Sequence, residues 1–247
     1  MSVNKKTALV TGSSRGIGKA IGYLLARNNI NVVFNYNNSE NEARTIIDSL
    51  KKEGITSIAL KADVSDIESV KNMIKKTHEI FGDIDILINN AGIAQQKVFL
   101  DISERDWERI FDVNVKGVYN CIKEVLPDML KKKEGKIINI SSIWGISGAS
   151  CEVHYSASKA AVIGLTKALA KELGPSKIKV NCVSPGVIKT DMISDLSYED
   201  IEMLKYNTPL GEIGKPEDIA KIVYFLTSDD SNFITGQIIS PNGGFII

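Results

Sequence analysis

Tyr155-Ser-Ala-Ser-Lys159 sets a phenol and an ammonium four residues apart, one helical turn along a single face. A free tyrosine titrates near ~10, too high for efficient proton exchange at neutrality. A neighbouring lysine cation, together with the positive nicotinamide of an oxidised cofactor, favours the phenolate and lowers that value. Such a phenol can give a proton to a carbonyl oxygen as hydride reaches the carbon, or take one in reverse. Upstream, Asn139-Ile-Ser-Ser142 closes an apolar run of strand character. Ligands in open α/β sheets bind at the carboxyl ends of strands. A hydroxyl at Ser142, or at its neighbour Ser141, is therefore placed to hydrogen-bond a carbonyl, and β alternation lets one of the two face it.

A second constellation is Thr11-Gly-Ser-Ser-Arg-Gly-Ile-Gly18. Gly12, Gly16 and Gly18 let the backbone turn tightly and approach a pyrophosphate, and the helix that follows offers free N–H groups and a positive dipole end. Ser13, Ser14, Arg15 and Ile17 complete this candidate dinucleotide cradle. An NAD enzyme normally ends its second strand with an acid that bonds the ribose hydroxyls. Here that place holds Asn35-Tyr36-Asn37-Asn38-Ser39, and the first acid is Glu40. A 2′-phosphate would be repelled by a carboxylate but accepted by neutral donors such as Asn35 and Asn37 and by Arg15. NADPH is expected over NADH. The competing reading makes Arg15 a solvated loop charge and Glu40 a first-turn helix acid.

These groups need a scaffold, and the chain spells one. Short β-branched runs at residues 7–10, 31–35, 57–61, 85–89, 136–141, 179–184 and 237–240 alternate with helical stretches near 16–28, 39–52, 66–81, 103–130, 154–173 and 216–227. That alternation predicts βαβ units around a parallel sheet, and the near-continuous apolar character of the runs suits strands covered on both faces. Ser103 reads as an N-cap and Pro216 as a first-turn proline. Gly135 and Gly174 read as left-handed residues past helix ends. With no linker or repeat, residues 1–247 read as one domain.

The balance of 30 basic and 30 acidic residues provides no field for nucleic acid or an anionic membrane surface. No apolar run approaches a spanning helix, and the opening residues carry no signal-peptide core. Cys121, Cys151 and Cys182 with His78 and His154 make no zinc-ligand pattern. They read as buried or half-buried free thiols of a cytoplasmic protein.

From about Thr7 to Gly244 the sequence resembles the short-chain dehydrogenase/reductase family. The matches are Thr11–Gly18, Asp63-Val64, Asn89-Asn-Ala-Gly92, Asn114, Ser142, Tyr155, Lys159 and Pro185-Gly186 with Thr190. The resemblance implies a Rossmann-type doubly wound sheet of seven parallel strands in the order 3-2-1-4-5-6-7. It implies a catalytic tetrad of Asn114, Ser142, Tyr155 and Lys159, the last two also touching cofactor. There the asparagine distorts its helix and helps hold a water that links the lysine to solvent. It further implies that Asp63 and Val64 contact adenine, and that Asn90, with Ala91 and Gly92, passes the ribose. Pro185, Gly186, Ile188 and Thr190 would hold the nicotinamide, and homotetramers are the expected assembly.

Within that family the sequence is similar to bacterial 3-oxoacyl-(acyl-carrier-protein) reductases, which implies an oxoacyl thioester substrate and docking of an acidic carrier protein. Lys131-Lys132-Lys133 sits where one docking patch belongs, or is a solvated run near a helix C-terminus. The second docking position falls on Ser176, with Lys177 adjacent, and Glu212 and Asn242 stand where those reductases usually carry arginine and aspartate. Ile93-Ala-Gln-Gln-Lys97, Cys151-Glu152 and the Asn-Gly-Gly-Phe ending resemble a narrower subgroup that includes reductases of a 5-aminopentanone group on elongation factor P. In that setting Glu152 would meet a substrate amine; it also reads as a first-turn helix acid. A catalytically silent dinucleotide-binding module is the alternative from another class.

Overall fold

Thr7–Val10 (β1) is entirely buried, as a four-residue apolar run must be when covered on both faces. In this computed structural model, residues 5–191 and 197–247 are described; residues 1–4, the lead-in to the first strand in the sequence reading, lie outside them. The remaining elements follow in alternation: α1 (Gly16–Arg27), β2 (Asn31–Tyr36), α2 (Glu40–Lys52), β3 (Ser57–Lys61), α3 (Ile67–Phe81), β4 (Ile86–Asn89), α4 (Glu104–Phe111), α5 (Gly117–Lys132), β5 (Gly135–Ile140), α6 (Trp144–Ser147), α7 (Val153–Leu173), β6 (Ile178–Val183), α8 (Tyr198–Tyr206), α9 (Pro216–Thr227) and β7 (Ile238–Ile239).

The strands form a seven-stranded parallel sheet in the order β3-β2-β1-β4-β5-β6-β7. Successive strand residues point to opposite faces, and two cores result. Leu9, Val33, Leu87, Ile137 and Val180 pack with α3, α5 and α7. Ala8, Val10, Phe34, Ile88 and Ile138 pack with α1, α2 and α9. The order reverses between β1 and β4, opening a crevice at their carboxyl ends where doubly wound sheets bind ligands.

Several local expectations change. The helix expected over 103–130 is two helices joined by a π-helical turn at Asp112–Lys116. Its start is as read, with Ser103 and Asp106 in a reciprocal capping box. The left-handed residues past α5 and near the end of α7 are Lys133 (φ 52°) and Lys177 (φ 58°), not Gly135 and Gly174. Gly135 instead opens β5, where a Cβ would run into the Met129 side chain. Gly174 has right-handed helical geometry, at φ −52°. Helices α6 and α8 were not anticipated, although Ser197-Tyr-Glu-Asp200 is a visible capping signal that α8 uses. Cys121 and Cys182 are buried free thiols, whereas Cys151 is exposed.

Candidate active site

The turn after β1 and the turn after β4 meet across the crevice. The Thr11 hydroxyl oxygen accepts from the amides of Asn90 and Ala91, both at 3.0 Å. The Asn90 side chain donates to the carbonyls of Thr11 and Gly12, both at 2.9 Å. Gly12 has φ +59°, and a Cβ there would lie 2.8 Å from the Ala91 Cα. A Cβ on Gly18 would strike the Asn90 amide, and one on Gly16, at φ +53°, would press on Thr190. The glycines thus serve close backbone approach.

Helix α1 opens towards this turn with Arg15 extended at its N-cap, no capping side chain and no acid in its first turn. Its first N–H groups are left for an anion, which fits a dinucleotide pyrophosphate. Ser13 is turned inward, its hydroxyl donating to the Val10 carbonyl at 2.8 Å, and Ser14 is buried beside it. Ile17 packs against the α1-side core.

The neutral donors expected at the end of β2 are engaged. Asn35 is 2% exposed; its oxygen accepts from the Gly12 amide at 3.1 Å and its nitrogen donates to the Ala62 carbonyl at 3.0 Å. It braces the glycine turn instead of facing a ligand. Asn37 donates to Asp63 at 3.1 Å. Burial works against the Asp63 charge, but hydrogen bonds from Ser65 and the Arg109 charge hold its carboxyl below the usual range. Val64 is buried, and its carbonyl accepts from Asn120 at 2.9 Å. Arg15 is exposed, 3.8 Å from Asp191, and Glu40 pairs with Arg44 at 3.4 Å. No acid stands at the end of β2.

The tetrad residues converge at the ends of β4 and β5. The Lys159 ammonium donates to the Ile140 carbonyl at 2.9 Å and lies 5.8 Å from the centre of the Tyr155 ring. The Ser142 hydroxyl lies beside the Tyr155 phenol and favours its ionised form. Ser141 is the inward one of the serine pair, donating to the Lys159 carbonyl at 2.9 Å. A Cβ on Gly92 would fall 3.2 Å from the Lys159 nitrogen and 3.3 Å from the Asn114 oxygen, so this turn passes directly over both. Asn114 lies in the π-helical turn, a geometry frequent at functional sites. Its amide accepts from the Ile93 N–H and donates to the Ile93 carbonyl, both at 2.9 Å, and donates to Ser158 at 3.0 Å. Ser158, which the sequence reading passed over, donates onward to the Tyr155 carbonyl at 2.7 Å. Its place inside Tyr-x3-Lys was the available signal.

Burial pushes the Tyr155 phenol up to about 12, with the Ser142 hydrogen bond opposing. Burial brings the Lys159 ammonium down to about 8, which still leaves it mostly charged at neutral pH. At neutral pH the phenol carries its proton, the form that reduction of a carbonyl consumes.

In the segment expected to hold the nicotinamide, Gly186 lies so close to Asn242 that a Cβ would meet its Cα at 2.7 Å, and the Pro185 carbonyl accepts from Ile143 at 3.0 Å. Ile188 is buried, its strand-like bridge to Gly214 steadying the segment that carries Thr190. The lysine run is elsewhere. Lys131, Lys132 and Lys133 lead into the start of β5, the opposite edge of the sheet from Ser142, and Lys132 is paired with Asp85 at 2.7 Å and Asp83 at 3.7 Å. Glu152 precedes α7 without capping it, which removes the first-turn reading. Burial raises its carboxyl above the usual range, against a 3.5 Å hydrogen bond from Gln96.

A family model described as enoyl-(acyl carrier protein) reductase matches residues 12–246. A 3-oxoacyl-(acyl-carrier-protein) reductase of Staphylococcus aureus is 45% identical over 239 residues, 97% of each chain. The enzyme of that name from Thermotoga maritima is 40% identical over 252 residues, covering the whole of both. Among solved structures, a 3-oxoacyl-(acyl-carrier protein) reductase from Brucella melitensis has a TM-score of 0.93 at 32% identity, covering 99% of this chain and 93% of that one.

Proposed function

The chain belongs to the short-chain dehydrogenase/reductase family, and from that premise we propose that it uses NADPH to reduce the ketone of a 3-oxoacyl thioester borne by an acyl carrier protein. Family membership makes it an oxidoreductase acting on CH–OH/C=O groups with a nicotinamide dinucleotide. The observation that carries the reading is the convergence of Tyr155, Ser142, Lys159 and Asn114 beside a glycine cradle built for a pyrophosphate. Relatives of 40–45% identity bear the name of that activity.

Bound reduced nicotinamide supplies a hydride to the ketone carbon. Tyr155 gives its phenolic proton to the ketone oxygen, which Ser142 holds by hydrogen bonding. Lys159 stabilises the phenolate left behind until solvent returns the proton. Ketone, hydride and proton would together make the secondary alcohol. Asp63 and Val64 would contact adenine, the turn of Asn90, Ala91 and Gly92 would pass the ribose, and Pro185, Gly186, Ile188 and Thr190 would hold the nicotinamide. The missing acid after β2 and the exposed Arg15 support a 2′-phosphate. The reading includes a homotetramer in the cytoplasm; among the described residues no helix is long and apolar enough to cross a membrane.

Glu152 favours a second reading. A half-buried carboxylate three residues from Tyr155 suits a ketone substrate bearing an amine, such as an aminopentanone group on elongation factor P. NADPH oxidation with acetoacetyl thioester and with aminoketone-modified protein, side by side, separates the two. Faster turnover of the thioester, with kcat/KM roughly tenfold higher for NADPH than NADH, is expected. Turnover of the aminoketone alone transfers the assignment to the second reading. An NADH preference overturns the cofactor assignment, and activity on neither substrate leaves only the reaction class standing.

A further inference from the structure

Between β4 and Phe99 the chain runs as a strap without regular structure, and residues 93–97 are tied at both ends to the catalytic machinery. At one end the Asn114 amide holds both the N–H and the carbonyl of Ile93. At the other, the Lys97 N–H donates to the Cys151 carbonyl at 2.8 Å. Between them, the Gln95 nitrogen donates to Asp106 Oδ1 at 3.1 Å, and the Gln95 oxygen lies 3.0 Å from His154 Nε2. Asp106 Oδ2 takes the Lys97 ammonium at 2.7 Å and the Ser103 hydroxyl at 2.7 Å. The chain of bonds therefore runs from the cap of α4, through the strap, to the residue immediately before Tyr155.

Donor chemistry assigns the proton along this chain. The Asp106 carboxylate only accepts, so the NH2 of Gln95 faces it and the Gln95 oxygen faces His154. His154 must then donate from Nε2. The imidazole is wholly buried, and its Nδ1 has no partner among the described residues. Burial holds it neutral, with the Asp106 charge opposing and Lys97 assisting. A single tautomer locked between a glutamine and the first turn of α7 is a rigid link, in contrast to a titrating pair.

We propose that Gln95 and His154 are positioning residues that, with Asp106, seat the 93–97 strap on the start of α7, so that Tyr155 and the strap meet a carbonyl substrate at one fixed spacing. The proposal rests on Tyr155 acting as the acid of the reduction. Misplacement of a reacting group by about 1 Å can cost ~10²-fold in rate, which gives such a brace its purpose.

The test compares Gln95→Leu, His154→Phe, their double variant and His154→Gln in the full chain. Each single apolar variant is expected to lose about tenfold in kcat, with NADPH affinity unchanged within about twofold. The double variant should lose no more than the worse single one, since both cut the same link. His154→Gln, whose amide nitrogen can still donate to Gln95, should recover most of the loss. In the cofactor-free proteins, hydrogen exchange at residues 93–97 and in the first turn of α7 should quicken in the apolar variants and stay slow in His154→Gln. Single effects that multiply in the double variant, a His154→Gln no better than His154→Phe, or unchanged exchange at the strap would each overturn the proposal. A parent inactive on every carbonyl tried would defeat the proposed function, while the exchange measurement still decides the brace. Gln95 is only half-buried, so Gln95→Leu supplies a folded variant should His154→Phe fail.

Discussion

Burial keeps the Tyr155 phenol loaded with its proton, at about 12, and a ketone oxygen receiving a hydride needs that proton. Replacing Tyr155 by phenylalanine removes the proton and keeps the ring that fills the same volume. Tyr155→Phe is expected to lower kcat by about 10³-fold, measured by NADPH oxidation at saturating cofactor. A variant that reduces carbonyls as fast as the parent would remove Tyr155 from the acid role. The local spacing of Tyr155, Lys159 and Ser142 was legible because helix and strand periods fix which side chains share a face. Asn35 and Asn37 were not. Their partners, the Gly12 amide, the Ala62 carbonyl and Asp63, lie 23–27 residues away.

Strand β5 carries chemistry at both ends. Ile140 holds the Lys159 ammonium, while at the start a second buried lysine, Lys136, donates to the Ser228 carbonyl at 2.9 Å, the Ser231 hydroxyl at 3.1 Å and Asn232 at 2.9 Å. These bonds pin the turn after α9 to the sheet. Burial lowers Lys136 to about 8, against ~10.4 in an unfolded chain. Below the folded value both states hold the proton and the cost is constant. Between the two values the unfolded chain binds more protons, so stability rises with pH across that window. The thermal midpoint of the parent relative to Lys136→Met should therefore climb from pH of about 8 to about 10.4. A flat difference would show the ammonium at no disadvantage in the fold. Of the elements, the strands through β6 were readable to within a residue or two because buried parallel strands are short apolar runs. The π-helical turn was not, since one extra residue per turn is lost within a single long amphipathic stretch. Gly135 misled for a different reason: its small size accommodates Met129, and Lys133 bears the left-handed geometry.

At the scale of the molecule, the parallel sheet was legible from alternation and its doubly wound order from the family resemblance, and its assembly is where a single chain stops. Leu100, Tyr206, Phe233 and Ile247 are each largely bare of contact, at 91%, 89%, 105% and 111% exposure. Sedimentation is expected to give a particle of four times the 27.0 kDa chain, and a monomer at micromolar concentration would contradict the homotetramer. The bond from the Lys159 ammonium to the Ile140 carbonyl adds a consequence in time. β5 lies between β4 and β6, inside the sheet, and interior strands open only when the whole structure opens. The enzyme should therefore not soften into an inactive but folded state on heating. Loss of turnover and loss of the far-ultraviolet circular dichroism should share one midpoint, and an earlier loss of turnover would mean that the catalytic lysine keeps a clock of its own.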